Sequence, residues 1–127
     1  MQENNLFEFA VIRLVPRVER EEFINVGAIL FCKKKNFLKV LYTINEPKIN
    51  AISADVDLEE FKAHLEAFNE IALGSKESGP IGELETAERF RWLTATRSTI
   101  LQTSRVHPGL CMNLEEALKK IFKEQVL

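Results

Sequence analysis

The sequence predicts a single α+β domain in which helices cover an antiparallel sheet. Apolar residues occupy nearly every position of two early stretches, as in strands that are buried on both faces. Farther along the chain, apolar residues recur at helical spacing instead. Strands clustered first and helices later are typical of the α+β class. The chain has 127 residues, the usual length of one domain, so we assign residues 1–127 to one unit.

Three consecutive strands are predicted near the start of the chain. The segments LFEFAVIRLV (6–15) and FINVGAILFC (23–32) are rich in Val, Ile and Phe. The charged stretch PRVEREE between them, opened by a proline, predicts a hairpin turn. A lysine-rich turn then leads to FLKVLYT (37–43), where Lys39 interrupts one face as expected nearer a sheet edge. Short turns between the strands predict an antiparallel meander, to which we add a fourth strand over STILQT (98–103).

About three helices are predicted to cover this sheet. The first begins at Asp57, because Glu60 three residues on completes a capping box, and it ends at Gly74. Its apolar seam consists of Leu58, Phe61, Leu65, Phe68 and Ala72. A second helix is predicted over 83–93 and a third, amphipathic one over 114–126.

The charge balance and the cysteine count limit the classes of function. The formal net charge is −2, so no overall positive potential would draw the protein to nucleic acid or to an acidic membrane. We therefore expect neither as a partner, and any anion site must be local. Cys32 and Cys111 are too few for a disulfide framework, and two free thiols are typical of the reducing cytoplasm. The N-terminal stretch has no signal-peptide pattern, so we predict a cytoplasmic protein.

The arginines are distributed unevenly along the chain. All seven fall within 13–20 and 89–105, while all ten lysines lie outside these windows. Guanidinium is a planar fork that grips carboxylate or phosphate with two hydrogen bonds, and it tolerates burial better than ammonium. Both windows flank predicted strands, which allows them to meet in space. Structural ion pairs, such as Glu85 with Arg89 four residues on, are the alternative interpretation, and it stays open.

Polar side chains accompany the second arginine window. On a strand, Ser98, Gln102 and Ser104 would share one side and Thr99 the other. These residues form either a solvated edge strand or a row of hydrogen-bond donors beside the arginines.

Asn25 and Gly27 stand out in the apolar second strand. A glycine there usually marks a bulge or the close approach of another backbone, and a buried asparagine needs hydrogen-bond partners. Both could form the wall of an arginine-rich pocket. The candidate ligand-binding residues are Arg13, Asn25, Arg89, Arg91, Arg97, Ser98, Thr99, Gln102 and Ser104.

Two classes of function remain open. In the first, which we favour, the protein is a non-catalytic binding or partner module whose arginine-rich pocket holds a phosphate-bearing ligand or an acidic partner surface. In the second, it is a small hydrolase or nuclease-like enzyme. His107 would then be the general base, placed in a turn before Pro108, with arginines stabilising a phosphoryl group. That enzyme needs a carboxylate near His107, and Glu22 and Glu88 are the candidates. We expect no metal and no cofactor.

The residues also resemble a bacterial family catalogued as domain of unknown function 3037. The segments FAVIRLVPRVEREEFINVGAILF (9–31), GPIG and AERFRWLTATRSTILQTSRVHPG (87–109) carry the resemblance, together with the closing helix. The matching positions are Arg13, Glu22, Asn25, Gly27, Arg89, Arg91, Trp92, Arg97, Ser98, Thr99, Gln102, Ser104, His107 and Gly109. The sequence departs from the pattern at Thr96, Thr103 and Arg105, where proline is expected, and at Pro108, where threonine is expected. The resemblance implies no settled activity, but it implies a HipA-like kinase as a possible partner.

Overall fold

An antiparallel sheet forms the middle layer of the protein. In this computed structural model, which describes residues 4–95 and 99–127, the strands run in the order β3–β2–β1–β4, and β5 pairs with β1 beside β4. The strands are β1 (Asn5–Leu14), β2 (Ile24–Cys32), β3 (Phe37–Tyr42), β4 (Leu101–Thr103) and β5 (His107–Cys111). Every strand pair is antiparallel. The predicted α+β class and the three-strand meander are confirmed.

Helices cover both faces of the sheet. They are α1 (Glu46–Ile52), α2 (Leu58–Leu73), α3 (Gly79–Gly82), α4 (Thr86–Leu93) and α5 (Leu114–Gln125). The three longest, α2, α4 and α5, are the predicted ones. Helix α1 was not predicted, because it is only seven residues long and has a proline in its first turn. Its N-cap, Asn45, accepts a hydrogen bond from the backbone N–H of Lys48 at 3.1 Å.

Two hydrophobic clusters hold the layers together, one on each face of the sheet. On the first face, Ile12 and Leu14 of β1 pack with Phe61 and Leu65 of α2 and with Phe90 of α4. On the second face, Phe7 of β1 and Leu30 of β2 pack with Leu114 and Leu118 of α5. Because β1 and β2 contribute to both clusters, their sequences are apolar at nearly every position.

A β-bulge distinguishes the start of β2 from the rest of the ladder. Ile12 pairs with Gly27, but the next residue, Arg13, pairs with Asn25, so Val26 is the additional residue. A Cβ atom on Gly27 would lie 2.6 Å from the backbone oxygen of Leu41. The expectation that Gly27 marks a bulge and a close backbone approach is confirmed.

Two predicted boundaries and the predicted position of His107 need correction. The predicted strand 98–103 is shorter, because only Leu101–Thr103 pairs with β1, and Ser98 lies outside the described residues. The predicted helix 83–93 begins later, at Thr86. His107 lies in β5 and not in a turn, because β1 is long enough to pair with a second short strand beyond β4.

None of the helices in the described ranges combines the length and the apolar character that crossing a bilayer requires.

Candidate anion-binding site

A row of polar side chains crosses three neighbouring strands. Arg13 of β1 lies opposite Asn25 of β2 on one side and opposite Gln102 of β4 on the other. Ser104 follows just after β4, where its backbone N–H donates to the carbonyl of Val11 at 2.8 Å and its Oγ accepts from the N–H of Val11 at 2.9 Å. The structure therefore brings together Arg13, Asn25, Gln102 and Ser104 from the two halves of the chain.

The Arg13 side chain is half-buried, and its guanidinium lies over an aromatic ring. The Cζ atom is 4.0 Å from the centroid of Phe23, the distance of a cation–π contact. Its Nε atom is buried and makes no hydrogen bond. Within residues 4–95 and 99–127, no carboxylate forms an ion pair with this guanidinium. Burial lowers the pKa of Arg13 below its ordinary value, because desolvation disfavours the charged form.

Asn25 connects this row to the C-terminal end of α5. Its Nδ2 donates to the carbonyl of Gln125 at 2.9 Å, while its Oδ1 is buried without a hydrogen-bond partner. Lys48 donates to the next carbonyl, that of Val126, at 3.3 Å. Both donors satisfy carbonyls that the end of a helix leaves unpaired. Asn25 and Lys48 also line a cleft of about 580 Å³, within the usual size of ligand sites.

Among the described residues, four buried side-chain atoms lack a hydrogen-bond partner, and two of them belong to one pair of cross-strand neighbours; the others are Asn5 Oδ1 and Ser75 Oγ. Arg13 Nε is a buried donor without a partner, and Asn25 Oδ1 is a buried acceptor without one. Most buried polar groups in proteins are hydrogen-bonded, and those that are not often reflect strain, ordered water or a bound ligand. Asn25 lines the cleft described above, and Arg13 is its cross-strand neighbour.

Arg89 lies elsewhere and has a structural role. Its Nη1 donates to the carbonyls of Ile71 and Ala72 at 3.0 and 2.8 Å, and its Nε donates to the carbonyl of Leu84 at 3.0 Å. Nη2 donates to the hydroxyl of Thr86 at 3.1 Å. The guanidinium therefore caps the C-terminal end of α2 on the opposite face of the sheet from α5, and it does not join the Arg13 row.

Of the other predicted positions, the structure describes Arg91 and Thr99. Arg91 is exposed on α4, while Arg97 and Ser98 lie outside the described residues. Thr99 lines an apolar cleft of about 230 Å³ between α2 and α4, and its hydroxyl donates to the carbonyl of Leu101 at 2.7 Å. Arg91 lies on α4 and Thr99 precedes β4, so neither is a strand neighbour of Arg13, although Gln102 of the row donates to the carbonyl of Thr99 at 2.9 Å.

Arginines of the first window (13–20) line a second cleft, in which positive and negative side chains balance. Arg17 and Arg20 line a cleft of about 250 Å³ together with Glu22 and Asp55. Arg20 forms an ion pair with Glu22 at 2.7 Å. Because two carboxylates face two guanidinium groups, this cleft is a poorer anion site than Arg13.

Among the described residues, neither Arg13 nor the two candidate carboxylates of the alternative enzyme are shown in contact with His107. The His107 ring lies 5.4 Å from the ring of Phe9, its cross-strand partner. Phe9 is four residues from Arg13, which is roughly 13 Å along a strand, and the Arg13 side chain lies over Phe23. Of the two candidate carboxylates, Glu22 pairs with Arg20, and Glu88 is exposed on α4. The described residues include no cluster of three or more His, Cys, Asp or Glu suited to a metal ion.

The sequence does not identify two residues that lie near Arg13 and Asn25, namely Phe23 and Lys48. From the sequence, Phe23 is only the first residue of a predicted strand. An aromatic residue two positions before a polar residue in an apolar strand is a weak signal for it. No local pattern identifies Lys48, because its role depends on where α5 ends.

Comparison with known proteins assigns the chain to a family but indicates no activity. No curated protein matches the chain, and no solved structure matches it. A family model matches residues 9–126, which is nearly the whole chain and includes every described residue of the Arg13 row. The resemblance inferred from the sequence is confirmed: the chain belongs to the family described as "Protein of unknown function (DUF3037)".

Proposed function

We propose that the protein is a non-catalytic binding module that holds an anionic group, phosphate or carboxylate, at Arg13. The observation that carries this proposal is the Arg13 guanidinium itself. Its side chain is half-buried over Phe23 and has no carboxylate partner among residues 4–95 and 99–127.

Comparison with the other arginines supports this choice. Arg89 is occupied by backbone carbonyls and Arg20 by Glu22. Arg91 is exposed, so water hydrates its charge. Arg13 has lost part of its hydration without gaining a counter-charge, which is unfavourable unless something compensates it. An anion bound across the guanidinium fork would provide that compensation with charge-assisted hydrogen bonds.

The neighbours of Arg13 add selectivity. Gln102 flanks it on β4, where its Nε2 donates to the carbonyl of Thr99 at 2.9 Å, so its side-chain oxygen remains able to accept. The unpaired Oδ1 of Asn25 is a second acceptor on the other flank. A ligand with an anionic group and an adjacent hydrogen-bond donor matches this row. A phosphate-bearing metabolite and the acidic surface of a partner protein both have these features.

A thermal-shift screen with paired variants tests the proposal. The compounds are nucleotides, phosphorylated sugars and a glutamate-rich peptide, each titrated against the parent, Arg13→Lys and Arg91→Lys. A compound that binds at Arg13 raises the melting temperature of the parent by mass action. Arg13→Lys should lose most of that gain, because lysine lacks the planar fork. Arg91→Lys, a matched change at an exposed arginine, should keep it.

The outcomes separate the ligand classes. A shift with phosphorylated compounds alone identifies a phosphate ligand, and a shift with the glutamate-rich peptide alone identifies an acidic partner. If no compound shifts the parent, or if Arg13→Lys responds as the parent does, the Arg13 site is not the binding site.

A further inference from the structure

An exposed apolar surface lies at one edge of the sheet, away from Arg13. Leu6 of β1 and Leu110 of β5 are direct cross-strand partners and are 64% and 66% exposed. Met112, just after β5, is 61% exposed, and Val106, just before it, is also exposed. On a strand, residues two apart share a face, so Val106, Pro108, Leu110 and Met112 form one row. Glu8, the exposed cross-strand partner of Pro108, is the charged residue beside this row. A row of exposed apolar side chains usually marks an interaction site.

The strand that carries this row is at the edge of the sheet. Among the described strands, β5 pairs only with β1, so the backbone groups on its other side face outward. Natural proteins often protect such an edge with charged side chains or with proline. The segment His107–Cys111 reads HPGLC and contains no lysine, arginine or acid. Pro108 removes one outward donor, but the carbonyls and the N–H of Leu110 remain available to a partner strand.

We propose that a second copy of this chain covers this edge, with the two β5 strands running antiparallel about a two-fold axis at Gly109. In this register, Pro108 of one copy faces Leu110 of the second copy. Val106 likewise faces Met112 of the second copy. Every opposed pair in the exposed row is therefore apolar with apolar, as a self-complementary two-fold interface requires.

The charges at the two ends of β5 favour the antiparallel arrangement. Arg105 is exposed immediately before β5. At the other end, Asn113 caps α5, and Glu116 in its first turn is exposed. The antiparallel register places Arg105 opposite Asn113 of the second copy, within reach of Glu116 of the second copy. A parallel arrangement would bring each Arg105 beside its own equivalent, and like charges directly opposite are unfavourable.

Pro108 weakens the hydrogen-bond ladder between the two copies. Because Pro108 has no N–H, the ladder between the two copies has one gap on each side of Gly109. Side-chain contacts through Leu110, Met112 and Val106 must then supply most of the affinity. The dimer should therefore be reversible and dependent on concentration.

Sedimentation equilibrium across the micromolar concentration range tests this dimer. The parent should show a monomer–dimer equilibrium. Leu110→Lys should raise the dissociation constant at least about tenfold, equivalent to about 1.4 kcal/mol. Leu73→Lys is the matched control, because Leu73 is 62% exposed on α2 and lies outside the proposed interface. A parent that stays monomeric throughout, or a dimer that Leu110→Lys does not weaken, overturns the proposal.

A charge exchange tests the register independently of fold stability. Arg105→Glu should weaken the dimer, because it places like charges near Glu116 of the second copy. Adding Glu116→Arg should restore the affinity, since each copy then carries the reversed pair. Circular dichroism verifies that the variants remain folded. Failure of the double variant to recover affinity, with the fold intact, excludes the antiparallel register. Neither result depends on ligand binding at Arg13.

Discussion

Arg89 hydrogen-bonds the end of α2 through the carbonyl of Ala72, to which its Nη1 donates at 2.8 Å. The absence of a side chain at Gly74 makes this contact possible. Gly74 is the left-handed C-cap of α2, and a Cβ atom there would lie 2.7 Å from Nη1. The helix end and the arginine therefore depend on each other, and a residue predicted to bind a ligand is used to stabilise the fold.

Arg89→Ala should lower the free energy of unfolding by about 2 kcal/mol, because it leaves carbonyls of α2 without their charged donor. Arg89→Lys should recover only part of this loss, since an ammonium group cannot reach three carbonyls at once. Urea denaturation measures both variants. Arg91→Ala, at an exposed position on α4, should change stability by less than about 0.5 kcal/mol. Full stability in Arg89→Lys would contradict the proposed capping geometry.

Arg13→Met should leave stability nearly unchanged in the absence of ligand. Methionine keeps an apolar stem over Phe23 and removes a half-buried charge that has no acid partner among the described residues. The loss of a cation–π contact, about 0.5–1 kcal/mol, is offset by relief of desolvation. We expect the free energy of unfolding, measured in urea, to fall by less than about 0.5 kcal/mol or to rise. A loss as large as that of Arg89→Ala would show that Arg13 is structural too.

Most of the fold could be predicted from the sequence because its signals are local. The seam from Leu58 to Ala72 has a strict helical period, and Asp57 and Gly74 define its ends as the structure has them. The first two strands are apolar throughout, since each packs on both faces. The pairing of β5 with β1 could not be predicted in this way. The segment His107–Cys111 is short, mostly exposed and contains Pro108, so its strand conformation depends on the partner that β1 offers.

The candidate site was predictable only in part. Arginine clustering along the chain identified the two windows, but which arginines meet depends on strand register. Arg13 and Asn25 are opposite each other because the bulge at Val26 shifts the β1–β2 pairing by one residue, and the separate register of β1 with β4 places Gln102 on the other side of Arg13. Arg89 is the first residue of the second window, yet α4 places it on the other face of the sheet.

Gly27→Ala should destabilise the protein by about 2 kcal/mol, within the range of about 1–3 kcal/mol that overpacking costs. The added Cβ would lie 2.6 Å from the backbone oxygen of Leu41 and 2.9 Å from Cβ of Tyr42. Neither atom is the end of a flexible side chain, so β2 and β3 must move apart. Thermal unfolding measures the change. Unchanged thermal stability in Gly27→Ala would contradict this explanation.

Cys111 should react slowly with thiol reagents near neutral pH. Burial raises the pKa of its thiol, and the nearby Cys32 raises it further, so less thiolate is present than in a free cysteine, whose pKa is about 8.5. Because the folded pKa lies above the unfolded one, this contribution to stability is complete below the unfolded pKa and is lost as pH rises through the folded pKa. Iodoacetamide labelling followed by mass spectrometry of the Cys111 peptide gives the midpoint directly. Cys111→Ser should flatten the fall in stability at alkaline pH. A labelling midpoint at or below that of a free cysteine would show that the thiol is not desolvated.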